Sequence, residues 1–91
     1  MANVLITYRI MPDSVDTDLN NFQDEISQAI TQFGGRVVKV ETHDIAFGLK
    51  ALHLTFQFDE KKGDTEELEK SLAQHHYIQS VEVIDVRRQF G

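Results

Sequence analysis

Ninety-one residues, 41% of them hydrophobic, suit one compact domain spanning residues 1–91 and leave no room for two. There is no cysteine, which excludes disulfides, thiolate metal sites and cysteine nucleophiles together. Nine Lys plus Arg against fifteen Asp plus Glu give a net charge of −6, the wrong sign for neutralising a nucleic-acid backbone.

The N-terminus enters an alternating strand pattern directly, without the basic and apolar regions of a signal peptide. No apolar run approaches the roughly 20 residues needed to span a bilayer. A soluble cytoplasmic protein without membrane contact is expected. Between Asp13 and Phe33 lie five acidic side chains and no Lys or Arg. That stretch reads either as a solvated helix face or as a surface that meets a basic protein.

From Asn3 to Met11 the pattern alternates, with Val4, Ile6, Tyr8 and Ile10 on one face of a half-buried strand. Pro12 ends it, because proline donates nothing to the ladder. Asp16 or Thr17 is the expected N-cap of a helix in which Leu19, Phe22, Ile26, Ala29, Ile30 and Phe33 form one apolar stripe. Gly34-Gly35 supplies its C-cap and a sharp turn. Arg36 to Thr42, with Val37, Val38 and Val40, is a second strand. A loop from His43 to Gly48 leads to a third, where Leu52, Leu54, Phe56 and Phe58 share a face. Asp59-Glu60-Lys61-Lys62-Gly63 is an exposed turn. Asp64 or Thr65 caps a short second helix, with Glu66 and Glu67 favoured by the dipole in its first turn. Leu68 and Leu72, with Ala73 beside them, point that helix inward. After His75-His76, residues 78–86 read as the last strand.

The order β-α-β-β-α-β predicts an α+β ferredoxin-like plait, a four-stranded antiparallel sheet with both helices on one face. The other face meets water or a partner. This architecture hosts many functions, so each must be tested at the residues. The turn after the first strand, Met11-Pro12-Asp13-Ser14, is acidic and lacks the arginine and amide cradle of a phosphatase-type site. Val4 to Met11 and Leu52 to Phe58 lack glycine and hold Arg9 as their one Lys or Arg, short of the pattern of an RNA-recognition surface, so no direct nucleic-acid contact is expected. His75 and His76 are adjacent and diverge. His43 and His53 lie on separate elements with no carboxylate at a recognised ligand spacing, so no metal is expected. Neither a nucleophile motif nor a phosphate-binding glycine loop occurs, and no cofactor is expected.

Phe47 stands out because a large apolar side chain gains little from burial in a loop. It reads either as a plug closing one end of the core or as an anchor for a partner's pocket. Three pieces of sequence bear on the choice. They are Val4-Leu5-Ile6-Thr7 with Met11-Pro12-Asp13-Ser14, the segment Ile45-Ala46-Phe47-Gly48-Leu49-Lys50-Ala51-Leu52, and Val81-Glu82-Val83 with Asp85-Val86-Arg87-Arg88. Together they resemble the archaeal translation elongation factor one-beta family, homologous to the catalytic C-terminal domain of its eukaryotic counterpart. The likeness runs through nearly the whole chain, and the Phe47 segment is its most specific part.

The resemblance implies a guanine nucleotide exchange factor for the GTPase elongation factor one-alpha, which delivers aminoacyl-tRNA to the ribosome. Such a factor makes and breaks no covalent bond. GDP, GTP and magnesium belong to the partner. The family's matching phenylalanine inserts into the GTPase domain, which assigns that role to Phe47, with Ile45, Gly48 and Lys50 as the framework and rim of the loop. Eukaryotic members also use a lysine near the C-terminus to disturb the magnesium site. Here the tail reads Gln89-Phe90-Gly91. Arg87 and Arg88 are the nearest cations, read either as substitutes for that lysine or as edge charges that discourage aggregation.

The main rival is a small-molecule sensor domain of plait topology. Such a sensor is normally fused to an enzyme and carries a turn glycine directly after its first strand, whereas this chain is expected to be freestanding and lacks that glycine. A structural ribosome-associated protein is disfavoured by the acidic charge.

Overall fold

The computed structural model describes residues 3–14, 18–59, 61, 65–75 and 78–89. The expected caps Asp16, Thr17 and Asp64, the turn residues Glu60, Lys62 and Gly63, His76, and the tail residues Phe90 and Gly91 lie outside the described residues, as does the side chain of Leu19. Strands β1 (Asn3–Pro12), β2 (Arg36–Asp44), β3 (Lys50–Asp59) and β4 (Ile78–Gln89) form one sheet in the order β2-β3-β1-β4. Helix α1 (Leu19–Phe33) connects β1 to β2, and α2 (Glu66–Ala73) connects β3 to β4. Every neighbouring pair is antiparallel, the ferredoxin-like arrangement that the element order predicts.

The alternation in β1 and β3 makes the core. Ile6, Tyr8 and Ile10 stand opposite Phe56, Leu54 and Leu52, and all six are buried. Phe22, Ile26 and Ile30 from α1 and Leu68 and Leu72 from α2 join the same cluster, so both helices cover one face of the sheet. Phe33 stacks on Phe58 with centroids 5.4 Å apart and closes one margin. Ala73 is exposed rather than inward. One residue beyond Leu72 is a rotation of about 100°, which carries it onto the solvent side of a short helix.

The element ends differ from expectation for local reasons. Asp18 is the N-cap of α1, and its carboxylate accepts from the Asn20 and Asn21 amides at 3.1 and 3.4 Å. Gly34 adopts φ 109° as the left-handed C-cap. Thr65 holds the cap position of α2, but its hydroxyl donates to Glu69 Oε2 at 2.7 Å instead of accepting from the helix amides. The Tyr8 hydroxyl donates to the same oxygen at 3.4 Å, tying α2 to β1. Burial, reinforced by the Glu69 charge, pushes the Tyr8 phenol above its ordinary value. β4 runs past Val86 to Gln89, because its last residues pair with Asn3 to Leu5 regardless of their polarity. β2 likewise continues to Asp44, opposite Lys50.

Gly35 marks the tightest approach of the α1–β2 connection to the core. A Cβ there would meet Ile30 Cγ2 at 2.8 Å and Phe56 Cδ2 at 2.9 Å, both in packed side chains. Gly35→Ala is therefore expected to cost about 1–3 kcal/mol by overpacking. Urea unfolding should show a lower midpoint with an unchanged slope.

Candidate functional site

The loop singled out in the sequence is the tip of the β2–β3 hairpin. Asp44 pairs with Lys50 at its base. Above them the Ile45 amide donates to the Leu49 carbonyl at 2.9 Å, and the Leu49 amide donates to the Ala46 carbonyl at 3.0 Å. Phe47 and Gly48 occupy the two central positions of that last turn, with φ of 56° and 80°. Positive φ at both positions is the mark of a type I′ turn, whose twist matches that of the flanking strands. Gly48 adopts it freely, whereas Phe47 is the one non-glycine residue with positive φ among the described residues. A phenylalanine in that region carries a strain of about 1–2 kcal/mol.

The strain is not offset by burial. Phe47 is 96% exposed, which removes the core-plug reading, and Ile45 beside it is 42% exposed. Thr42 faces inward opposite Leu52, yet it is exposed, so the helices do not cover this end of β2. The hairpin projects beyond the helical layer, and its tip has no core to plug. Lys50 is exposed at the base, so Ile45, Phe47, Gly48 and Lys50 form one small, mostly apolar surface.

Arg87 and Arg88 do not join this group. Both lie within β4, opposite Leu5 and Val4, and Val4 pairs in turn with Phe58. Phe58 is eight residues along β3 from Lys50, so about 26 Å of strand separates the arginines from the hairpin base. The two sets of expected contact residues occupy opposite ends of the sheet. Arg87 Nε meets Asp85 Oδ2 at 2.9 Å while its side chain stays 76% exposed. An exposed pair of this kind stabilises little and leaves the guanidinium turned to solvent.

Strand pairing also brings together two histidines that are far apart in sequence. His43 and His53 lie on the open face of the sheet, with ring centroids 3.9 Å apart and planes at 21°. His43 Nε2 lies 3.1 Å from Glu41 Oε2, and Lys39 pairs with the same carboxylate. The spacing of 43 and 53 gives no hint of this, because it arises only from the β2–β3 register. Rings stacked face to face do not aim their nitrogens at a common point, and metal ligation is in the ring plane. Among the described residues no group of three or more His, Cys, Asp or Glu is arranged to hold a metal. The stack lies on the stem that carries Phe47.

The family model described as the EF-1 guanine nucleotide exchange domain matches residues 5–88. The chain belongs to this family. Elongation factor 1-beta of Methanocella arvoryzae is 39% identical over 90 residues, covering 99% of this chain and 100% of that protein. Elongation factor 1-beta of Methanobrevibacter smithii is 40% identical over 88 residues, covering 97% and 98%. Among solved structures, the ACT domain from GTP pyrophosphokinase of Chlorobium tepidum superposes with a TM-score of 0.62 at 17% identity, covering 90% of this chain and 99% of that one. The de novo designed protein Foldit4 gives 0.64 at 17% identity, covering 98% of each. These two share the plait and nothing more specific. The span of the exchange-domain match contains both the hairpin tip and the two arginines. Among the described residues no helix is long and apolar enough to cross a membrane.

The turn geometry sets stability against exposure. Phe47→Asn creates an Asn-Gly pair suited to both left-handed positions. It is expected to raise stability by about 1 kcal/mol by relieving strain, read from thermal melts; a destabilised variant would restore the core-plug role. The histidine stem makes a second prediction. Burial, followed by the charges of His43 and Arg9, holds His53 below the usual imidazole value of 6.5. A depressed folded-state value contributes stability above the unfolded value, lost as pH falls through the folded one. The stem should therefore loosen on acidification below pH 6.5, and His43→Gln should move the His53 NMR titration back up.

Proposed function

We propose that this chain acts on the GTPase elongation factor one-alpha, with Phe47 as its principal contact. Guanine nucleotide exchange in translation elongation is the chain's role. The finer reading rests on one observation, a phenylalanine ring 96% exposed on a strained turn at the end of a projecting hairpin. A strained, solvent-exposed aromatic residue gains nothing within the chain itself. Inserted into an apolar pocket of a partner, the same ring becomes an anchor with little entropy left to lose.

Exchange follows from linkage rather than covalent chemistry. A factor that binds the nucleotide-free GTPase more tightly than the GDP-bound form must, by the same free energy, weaken GDP binding. GDP in such enzymes is held by backbone amides of the phosphate loop and by magnesium, so a rigid wedge near these elements accelerates release. Ile45, Gly48 and Lys50 frame the wedge. Arg87 and Arg88, about 26 Å away along the sheet, provide a second, cationic contact at the opposite end. The whole of residues 1–91 acts as one exchange domain in the cytoplasm, with both nucleotides and magnesium held by the GTPase and none by this chain.

The test is stopped-flow release of a fluorescent GDP analogue from elongation factor one-alpha. Wild-type protein accelerates release, and no acceleration would sink the reading. Phe47→Ala is expected to remain folded and lose most of the effect, a hot-spot loss of about 2 kcal/mol or more. The paired change Arg87→Ala with Arg88→Ala lowers the rate if the far end touches the GTPase, and an unchanged rate removes these arginines from the contact.

A further inference from the structure

β4 is an edge strand of 12 residues, with β1 on one side and no strand on the other among the described residues. Edges of this length are commonly blunted by charge or proline, because they present unpaired amides and carbonyls to any other strand. This one carries Glu82, Asp85, Arg87 and Arg88, yet among those charges it exposes Val83 at 43%, Ile84 at 44% and Val86 at 57% in its middle. Three of the six large apolar residues exposed among the described ones are therefore consecutive or nearly so on one edge.

The pairing of β4 with β1 shows what this edge would fit. The register shifts between Thr7 and Tyr8, so Ile84 is a bulge between Val83, opposite Tyr8, and Asp85, opposite Thr7. The bulge changes the parity of the strand. Glu82 and Arg87 are five residues apart and would ordinarily point to opposite faces, but they stand opposite Arg9 and Leu5 on the same open face. Val83 and Val86 stand opposite Tyr8 and Ile6 on the same inner face. We infer that β4 pairs antiparallel with β4 of a second copy of this chain, about a twofold axis between Ile84 and Asp85. In that register Glu82 faces Arg87 of the second copy, and Val83 faces Val86, each twice by symmetry.

The faces agree at all four positions, which a strand without the bulge would not allow. Glu82 would then lie between Arg9 of its own chain and Arg87 of the second copy, and Asp85 already pairs with Arg87 within each strand. The opposite charges at positions 82 and 87 select this register over a slip by one residue, which would turn the valines of one copy toward the open face, and the two Asp85 carboxylates that the axis brings together are each paired with Arg87 of their own strand. The pairing joins two sheets edge to edge and covers Arg87, so a paired copy cannot also offer Arg87 to the GTPase and the two contacts exclude one another at that side chain, while Phe47 at the tip of the β2–β3 hairpin stays exposed. It stands whether or not the exchange reading of Phe47 holds.

Sedimentation equilibrium over a wide concentration range tests the pairing. The wild-type mass should rise toward twice the monomer value and fall back as salt is added. Glu82→Arg alone and Arg87→Glu alone each set like charges against one another and should remain monomeric. Mixed in equal amounts, these two variants should form a heterodimer, because altered faces altered and unaltered faces unaltered with opposite sign throughout. A chain carrying both changes should recover self-association. Wild-type protein that stays monomeric at all concentrations, single variants that still dimerise, or a mixture that does not associate would each overturn the proposal.

Discussion

The antiparallel register between β1 and β3 is the constraint on which the rest of the molecule depends. It sets Ile6, Tyr8 and Ile10 against Phe56, Leu54 and Leu52, and so defines the one face on which both helices can bury their stripes. A slip of one residue would move that whole set to the solvent side, leaving Phe22, Ile26, Leu68 and Leu72 without a surface to cover. The same register fixes what lies at each end. Because β1 and β3 run in opposite directions, the β2–β3 turn emerges at one end of the sheet and the close of β4 at the other.

At the first end the chain carries an unfavourable conformation. A domain of this size has little stability to spare, yet Phe47 holds a left-handed backbone that a glycine or asparagine would hold without strain. Nothing within the chain offsets it, since the ring is in solvent. Its persistence follows from the stem: the hydrogen bonds between Ile45, Ala46 and Leu49, the Asp44–Lys50 pairing and the stacked histidines over-determine the turn. The stem thus holds the exposed ring in one backbone conformation. Along the β4 edge no strain is needed. A bulge at Ile84 brings charges and valines of matching pattern onto common faces of an open edge.

Much of the fold is legible in the residues alone, because periodicity is a local property. The alternation of Val4, Ile6, Tyr8 and Ile10 and the three- and four-residue steps from Phe22 to Phe33 identify their elements and inner faces without any neighbour being known. Element ends are less legible. The N-cap of α1 falls at Asp18, where the carboxylate reaches two amides, and β4 extends through polar residues because backbone pairing ignores side-chain polarity. Thr65 occupies a cap position but turns its hydroxyl to Glu69, a choice set by the carboxylate that Tyr8 also uses.

The candidate functional residues divide along the same line. That Phe47 is an unusual loop residue beside a glycine is evident from sequence, and so is the motif that carries the family likeness. Whether its ring plugs a core or faces solvent is not, because exposure depends on how far the hairpin extends past helices distant in sequence. The stacking of His43 on His53 and the separation of Arg87 and Arg88 from the tip are likewise products of strand order and register. Sequence determined which residues were chemically able to act, through side-chain type and local pattern. Tertiary structure alone decided which of them share a surface, because long-range strand pairing sets those distances.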